Sequence, residues 1–119
     1  IEMTIGRSKA YKTNHIPLLQ KRDDVTLLDT RTVYEYMRGH AEGFINIPVD
    51  ELRERLTELD KSKPVYVMCQ SGLRSYLATR ILMQNGFDAY NFAGGYRLYG
   101  TMYYDEVVSK NAYDCGMEK

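Results

Sequence analysis

Short apolar runs alternate with amphipathic stretches along the chain, a pattern that predicts an α/β domain with a largely parallel sheet. The clearest strands are residues 25–29 and 64–68. The second is almost continuously apolar, as expected of a strand covered on both faces. Weaker strand signals fall at residues 11–13, 44–47 and 89–92.

Helical patterns separate these strands. Thr32-Val33-Tyr34-Glu35 has the form of a capping box, opening a helix on which Val33, Tyr36 and Met37 share a face. Asp50 is placed to cap a second helix, with Leu52, Leu56 and Leu59 turned inward and Arg53, Glu54 and Glu58 toward water. A third helix begins near Arg74, directs Leu77, Ala78, Ile81 and Leu82 to the sheet, and ends at Asn85-Gly86. Asn14 is a candidate cap for a short helix before Lys21, with Pro17 tolerated in its first turn. Tyr103, Val107 and Val108 suggest one more helix before a polar tail.

At 119 residues the chain has the size of one domain, 1–119, and no repeat or low-complexity linker divides it. Sixteen basic and sixteen acidic side chains cancel, so no net field favours nucleic acid or an anionic membrane. No apolar run approaches the roughly 18 residues of a membrane span. The two cysteines, Cys69 and Cys115, are too few for a disulfide scaffold and fit a reducing, cytoplasmic compartment. His15 and His40 do not stand with cysteines at zinc-ligand spacing, so no metal is expected.

The chemistry is concentrated in Cys69-Gln70-Ser71-Gly72-Leu73-Arg74-Ser75. A cysteine ends a buried strand, a short glycine-containing loop follows, and a helix starts at once. Ligands of open α/β sheets bind at the carboxyl ends of strands. Amides from Gln70 to Ser75, joined to a helix N-terminus, can form an anion-binding nest. Gly72 permits a tight curl and Arg74 adds positive charge, features that favour an anionic sulfur and an anionic substrate. The plainer alternative is a buried structural cysteine followed by an ordinary strand–helix turn.

Together with this loop, Asp29-Thr30-Arg31, Glu35-Tyr36, Gly39-His40-Ala41-Glu42-Gly43, Asn46-Ile47-Pro48 and Gly94-Gly95-Tyr96 resemble the successive signatures of a rhodanese-like domain, in order, across about residues 11–100. Residues 101–119 then form a C-terminal extension. The resemblance implies a five-stranded parallel sheet of order 1-5-4-2-3 with helices on both faces, the Cys69 strand beside the one ending at Asp29, and Arg31 close to the active loop. It further implies a sulfurtransferase that carries sulfane sulfur on Cys69 from a donor such as thiosulfate to a thiol, cyanide or partner-protein cysteine, without a cofactor. Asp29 and Arg31 are expected to fix the loop through an ion pair or hydrogen bonds, and His40 to be structural. Glu35 is assigned to capping alone. Gly94-Gly95 is expected to allow close packing near the loop, with Tyr96 and Tyr99 where relatives often have tryptophan.

The related phosphatases place their arginine one position later, so the six residues from Cys69 to Arg74 favour sulfur transfer over phosphate chemistry. A separate alternative is a non-catalytic or accessory module of a larger protein. Such domains occur fused to flavin-dependent disulfide and persulfide reductases, and Ile1 in place of an initiator methionine fits an excised segment. Cys115, outside the matched region, reads as a spare thiol, with a resolving role toward Cys69 as the alternative.

Overall fold

The computed structural model describes residues 9–103 and 107–108, with Lys9 and the last two as backbone only. In chain order the elements are β1 (Lys9–Tyr11), α1 (Ile16–Gln20), β2 (Thr26–Asp29), α2 (Val33–Arg38), β3 (His40–Ala41), β4 (Ile45–Asn46), β5 (Val65–Met68), α3 (Leu73–Gln84), β6 (Ala89–Phe92), α4 (Gly95–Met102) and β7 (Val107–Val108). Short 3-10 turns occupy Thr13–His15, Val49–Glu54 and Leu56–Glu58. The main sheet has the order β1-β6-β5-β2-β4 with every pair parallel. This is the expected 1-5-4-2-3 arrangement once the two-residue β3, which lies outside this sheet, is counted.

Side-chain alternation builds the two layers. Leu28, Val65 and Val67 face one core with Ile47, Leu52, Ala78 and Leu82. Leu27, Tyr66 and Met68 face the other with Ile16, Leu19, Phe44, Phe92 and Tyr99. Thus α3 and the 3-10 turns of residues 49–58 cover one face, while α1 and α4 cover the opposite face. β5 is buried along its whole length, which accounts for its nearly unbroken apolar run. Among the described residues no helix is long and apolar enough to cross a membrane.

Several local expectations are corrected. The first strand lies two residues earlier than the sequence suggests, because Thr13 turns into a 3-10 segment and is buried. α1 is capped at His15 without a side-chain bond, so Asn14 is not its cap, although Pro17 does sit in its first turn. The helix expected from Asp50 is two 3-10 turns that begin after Pro48 and break at Arg55. That break lets Leu52 and Leu59 both reach the core, at the expense of regular α-helical bonding. Val33 and Met37 are 51% and 41% exposed, since α2 runs at the margin with no fully buried residue. Leu77 is likewise 48% exposed on α3. Finally, Val107–Val108 does not extend a helix; it pairs antiparallel with His40–Ala41.

Candidate active site

Parallel pairing aligns Leu28 with Val67 and Asp29 with Met68, so β2 and β5 end side by side. The backbone and hydroxyl of Thr30 both donate to the Met68 carbonyl, at 2.8 and 3.1 Å, and tie the two strand exits together. Arg31 and Cys69 therefore leave the sheet at neighbouring points. Cys69 is 1% exposed. Its Sγ accepts the Gly72 amide at 3.0 Å.

The loop is curled by backbone constraints that only glycine satisfies. Gly72, at the N-cap of α3, has φ of 107°. A Cβ there would lie 2.4 Å from the Ala93 carbonyl oxygen. Gly95 has φ of 64°, and a Cβ would fall 2.5 Å from the Gln70 carbonyl oxygen. The next two amides of α4, from Tyr96 and Arg97, donate to the carbonyls of Cys69 and Gln70 at 2.7 and 3.0 Å. α4 thus holds the carbonyl side of the loop, while the Gly72 amide is turned to the sulfur. Asn91 adds a longer bond, 3.4 Å, from its side-chain amide to the Gly72 carbonyl.

Two arginine–carboxylate pairs flank the loop. Arg31 Nη2 and Nε bind the Asp29 carboxylate, with Nη2 to Oδ2 at 2.9 Å, and Nη2 also donates to the Gly39 carbonyl at 2.7 Å. Arg31 Nη1 reaches Gln70 Oε1 at 3.5 Å, and the Tyr96 ring lies 4.1 Å from the guanidinium carbon. Asn46 donates to the backbone carbonyls of Asp29 and Arg31 and fixes the intervening turn. Arg74 binds Glu35 through both terminal nitrogens, at 2.7 and 3.0 Å. Glu35 also accepts from the Thr32 backbone and hydroxyl, while Thr32 Oγ1 accepts the Glu35 amide. The Arg74 guanidinium, helped by Thr32, pulls the Glu35 carboxyl down to about 2 against the cost of partial burial. Glu35 in turn raises Arg74 further, with the Cys69 sulfur a smaller contributor.

A cavity of about 270 Å³ opens beside the loop, lined by Arg31, Glu35, Arg38, Gly39, Gln70 and Tyr96. Two larger grooves, of about 470 and 530 Å³, are lined by none of these residues. The smaller cavity adjoins the cysteine loop through Gln70.

The structure brings Asp29, Arg31, Gln70 and Arg74 together around the Cys69 loop. Ser71 and Leu73 point to solvent, Leu73 being 68% exposed. Ser75 is buried, and its hydroxyl has no hydrogen-bond partner among the described residues. His40 donates from Nδ1 to the Tyr36 carbonyl at 2.9 Å and stacks on the Tyr36 ring. Cys115 lies outside the described residues. Sequence reasoning missed the second task of Glu35, whose capping box gives no hint of a partner 39 residues away. It also gave no role to Asn46 or to the Tyr96 ring, although both stand in recognised signatures. Among the described residues no three potential metal ligands converge.

A parallel sheet with this strand order, and a cysteine opening a six-residue loop to arginine at the exit of its central strand, define an open α/β domain with its candidate site at the carboxyl ends of the strands. The chain belongs to the rhodanese-like domain family, which it matches over residues 12–101. It is 40% identical over 75 residues to uncharacterized protein YqhL of Bacillus subtilis, covering 62% of this chain and 60% of that protein. It is 35% identical over 65 residues to the putative sulfur carrier protein YrkF of the same organism, covering 55% of this chain and 35% of that one. Among solved structures, reduced CoADR-RHD of Bacillus anthracis superposes with a TM-score of 0.81 at 38% identity, covering 87% of this chain and 18% of that chain. The chain therefore spans less than two thirds of these relatives.

Proposed function

We propose that this rhodanese-like domain is a sulfurtransferase that carries sulfane sulfur as a persulfide on Cys69. The observation that carries the reading is the Gly72 amide directed at Cys69 Sγ, within a loop whose carbonyls are held away by α4. The likeness to a putative sulfur carrier points the same way. In the loading step the Cys69 thiolate attacks the outer sulfur of a donor. A new S–S bond forms as the donor's S–S bond breaks, and the leaving group departs with the electron pair, as sulfite when the donor is thiosulfate. An acceptor thiol, cyanide or partner-protein cysteine then attacks the terminal sulfur and regenerates Cys69. Backbone donors and the helix N-terminus offer fixed stabilisation for charge on the carried sulfur.

A second reading is favoured by coverage: the chain matches 18% of CoADR-RHD, so the same chemistry would act as an accessory step beside other domains. Both readings require Cys69. Treated with excess polysulfide, the protein should gain sulfur that a reducing thiol removes, and peptide mapping should place it on Cys69. Full loading of Cys69→Ser, with the sulfur on Cys115, would show the assignment to be wrong. Aryl-phosphate hydrolysis that disappears in the same variant would replace sulfur transfer with phosphatase chemistry.

A further inference from the structure

Strand β6 carries a polar side chain where its pattern calls for an apolar one. Alternation puts Asn91 on the same face as Ala89, the face that packs against α3 with Val65 and Val67. Asn91 is 7% exposed, and its Oδ1 has no hydrogen-bond partner among the described residues. Burying such a group costs stability that an apolar side chain of similar outline would not. Its Nδ2, however, donates to the Gly72 carbonyl at 3.4 Å.

That contact joins two elements at the cysteine loop. Register sets Asn91 beside Val67, two residues before Cys69 on the chain that leaves β5. The Gly72 carbonyl also accepts the Tyr76 amide at 3.1 Å, the opening bond of α3. The helix bond fixes Gly72 to α3, whereas Asn91 fixes it to the sheet, through the carbonyl's second lone pair. The amide of the same glycine is the donor to Cys69 Sγ at 3.0 Å. We infer that Asn91 is a positioning residue for the reacting cysteine, tying Gly72 to the sheet so that its amide stays directed at the Cys69 sulfur. The inference deepens the sulfur-carrier reading and rests on it.

The thiolate that attacks a donor carries its charge on Sγ, and an amide stabilises that charge only at the right distance and direction. Without Asn91, Gly72 keeps its helix bond but loses its tie to the strand beside Cys69. A buried polar residue kept for this purpose has a signature of its own. Its removal impairs the sulfur without weakening the fold.

The test replaces Asn91 by leucine and by alanine, neither of which can donate to Gly72. Alkylation of Cys69 by iodoacetamide is followed against pH, with peptide mapping to separate it from Cys115. In Asn91→Leu and Asn91→Ala the midpoint should move up by about one pH unit, the scale of weakening one hydrogen bond to a charged group. Polysulfide loading below the midpoint should slow about threefold, because the smaller thiolate fraction is partly offset by greater nucleophilicity. Asn91→Leu should unfold at no lower urea concentration than the parent, since the unpartnered oxygen goes with the change. Leu82→Ala, which loosens the same core, should keep the parent midpoint. An unchanged midpoint in the Asn91 variants overturns the inference, as does an equal shift in Leu82→Ala. Where Asn91→Leu does not fold, Asn91→Ala set against Leu82→Ala decides. Where the parent takes no sulfur on Cys69, the carrier reading fails, and the alkylation midpoints alone decide whether Asn91 positions Gly72.

Discussion

Arg31 is a cation with 2% of its surface in water, held there by the Asp29 carboxylate, the Gly39 carbonyl, the Gln70 side chain and the face of Tyr96. Removing a charge from water is costly unless the partner is close and the remaining donors are used. Here they are, so the pair is tolerable as a unit and intolerable when halved. Asp29→Ala should lower the unfolding free energy by about 3–5 kcal/mol in urea titration. Asp29→Leu with Arg31→Met should recover most of that loss, because no unpaired charge remains. A single-variant cost no larger than that of an ordinary solvent-exposed ion pair, about 0–1 kcal/mol, would mean that Arg31 finds water when Asp29 is absent.

α2 shows an element held mainly by polar contacts. Its six residues include none that is fully buried, yet it positions Glu35, Arg38 and the Gly39 carbonyl at the site. Thr32 and Glu35 cap its start, the Tyr36 hydroxyl donates to the Phe44 carbonyl, and the Tyr36 ring stacks on His40. The depressed Glu35 carboxyl gives this arrangement a pH signature. A carboxyl whose pKa falls on folding contributes stability that is fully present above its ordinary value of 4.5 and is lost as pH falls through about 2. The urea midpoint of the parent protein should therefore drop more steeply between pH 4.5 and 2 than that of Glu35→Gln. Parallel profiles would show that Glu35 is not bound to Arg74 in solution.

At the scale of the whole molecule, the sheet separates two apolar clusters, and the site sits where the central strands emerge between them. Leu82 is wholly buried on the α3 side of that division. Truncating it removes apolar burial and leaves a void, so Leu82→Ala should cost about 2–5 kcal/mol in urea titration. Polysulfide loading of Cys69, scored on the folded protein, should stay at the parent level, because Leu82 packs in the core and lines none of the cavity beside the loop. Loading that falls with Leu82→Ala would tie the reactivity of the loop to packing in that core.

Taken alone, the sequence determined features whose causes are local. The apolar run at residues 25–29 marked a strand, Thr32-x-x-Glu35 marked a helix start, and Cys69 to Ser75 read as strand, loop and helix. The order of the signatures, through the family resemblance, supplied the sheet order as well. Tertiary structure decided what depends on which distant groups meet. Arg74 pairs with Glu35 and not with Asp29, because α2 runs past the loop while Arg31 already occupies Asp29. Leu52 and Leu59 reach one core through broken 3-10 turns, since a straight helix was a weaker solution than burying both. Val107–Val108 became a strand because an edge at His40–Ala41 was there to pair with. Periodicity and turn chemistry act over a few residues and are written in the chain. The partner of a charge, or of a strand edge, is chosen by neighbours that only the folded sheet assembles.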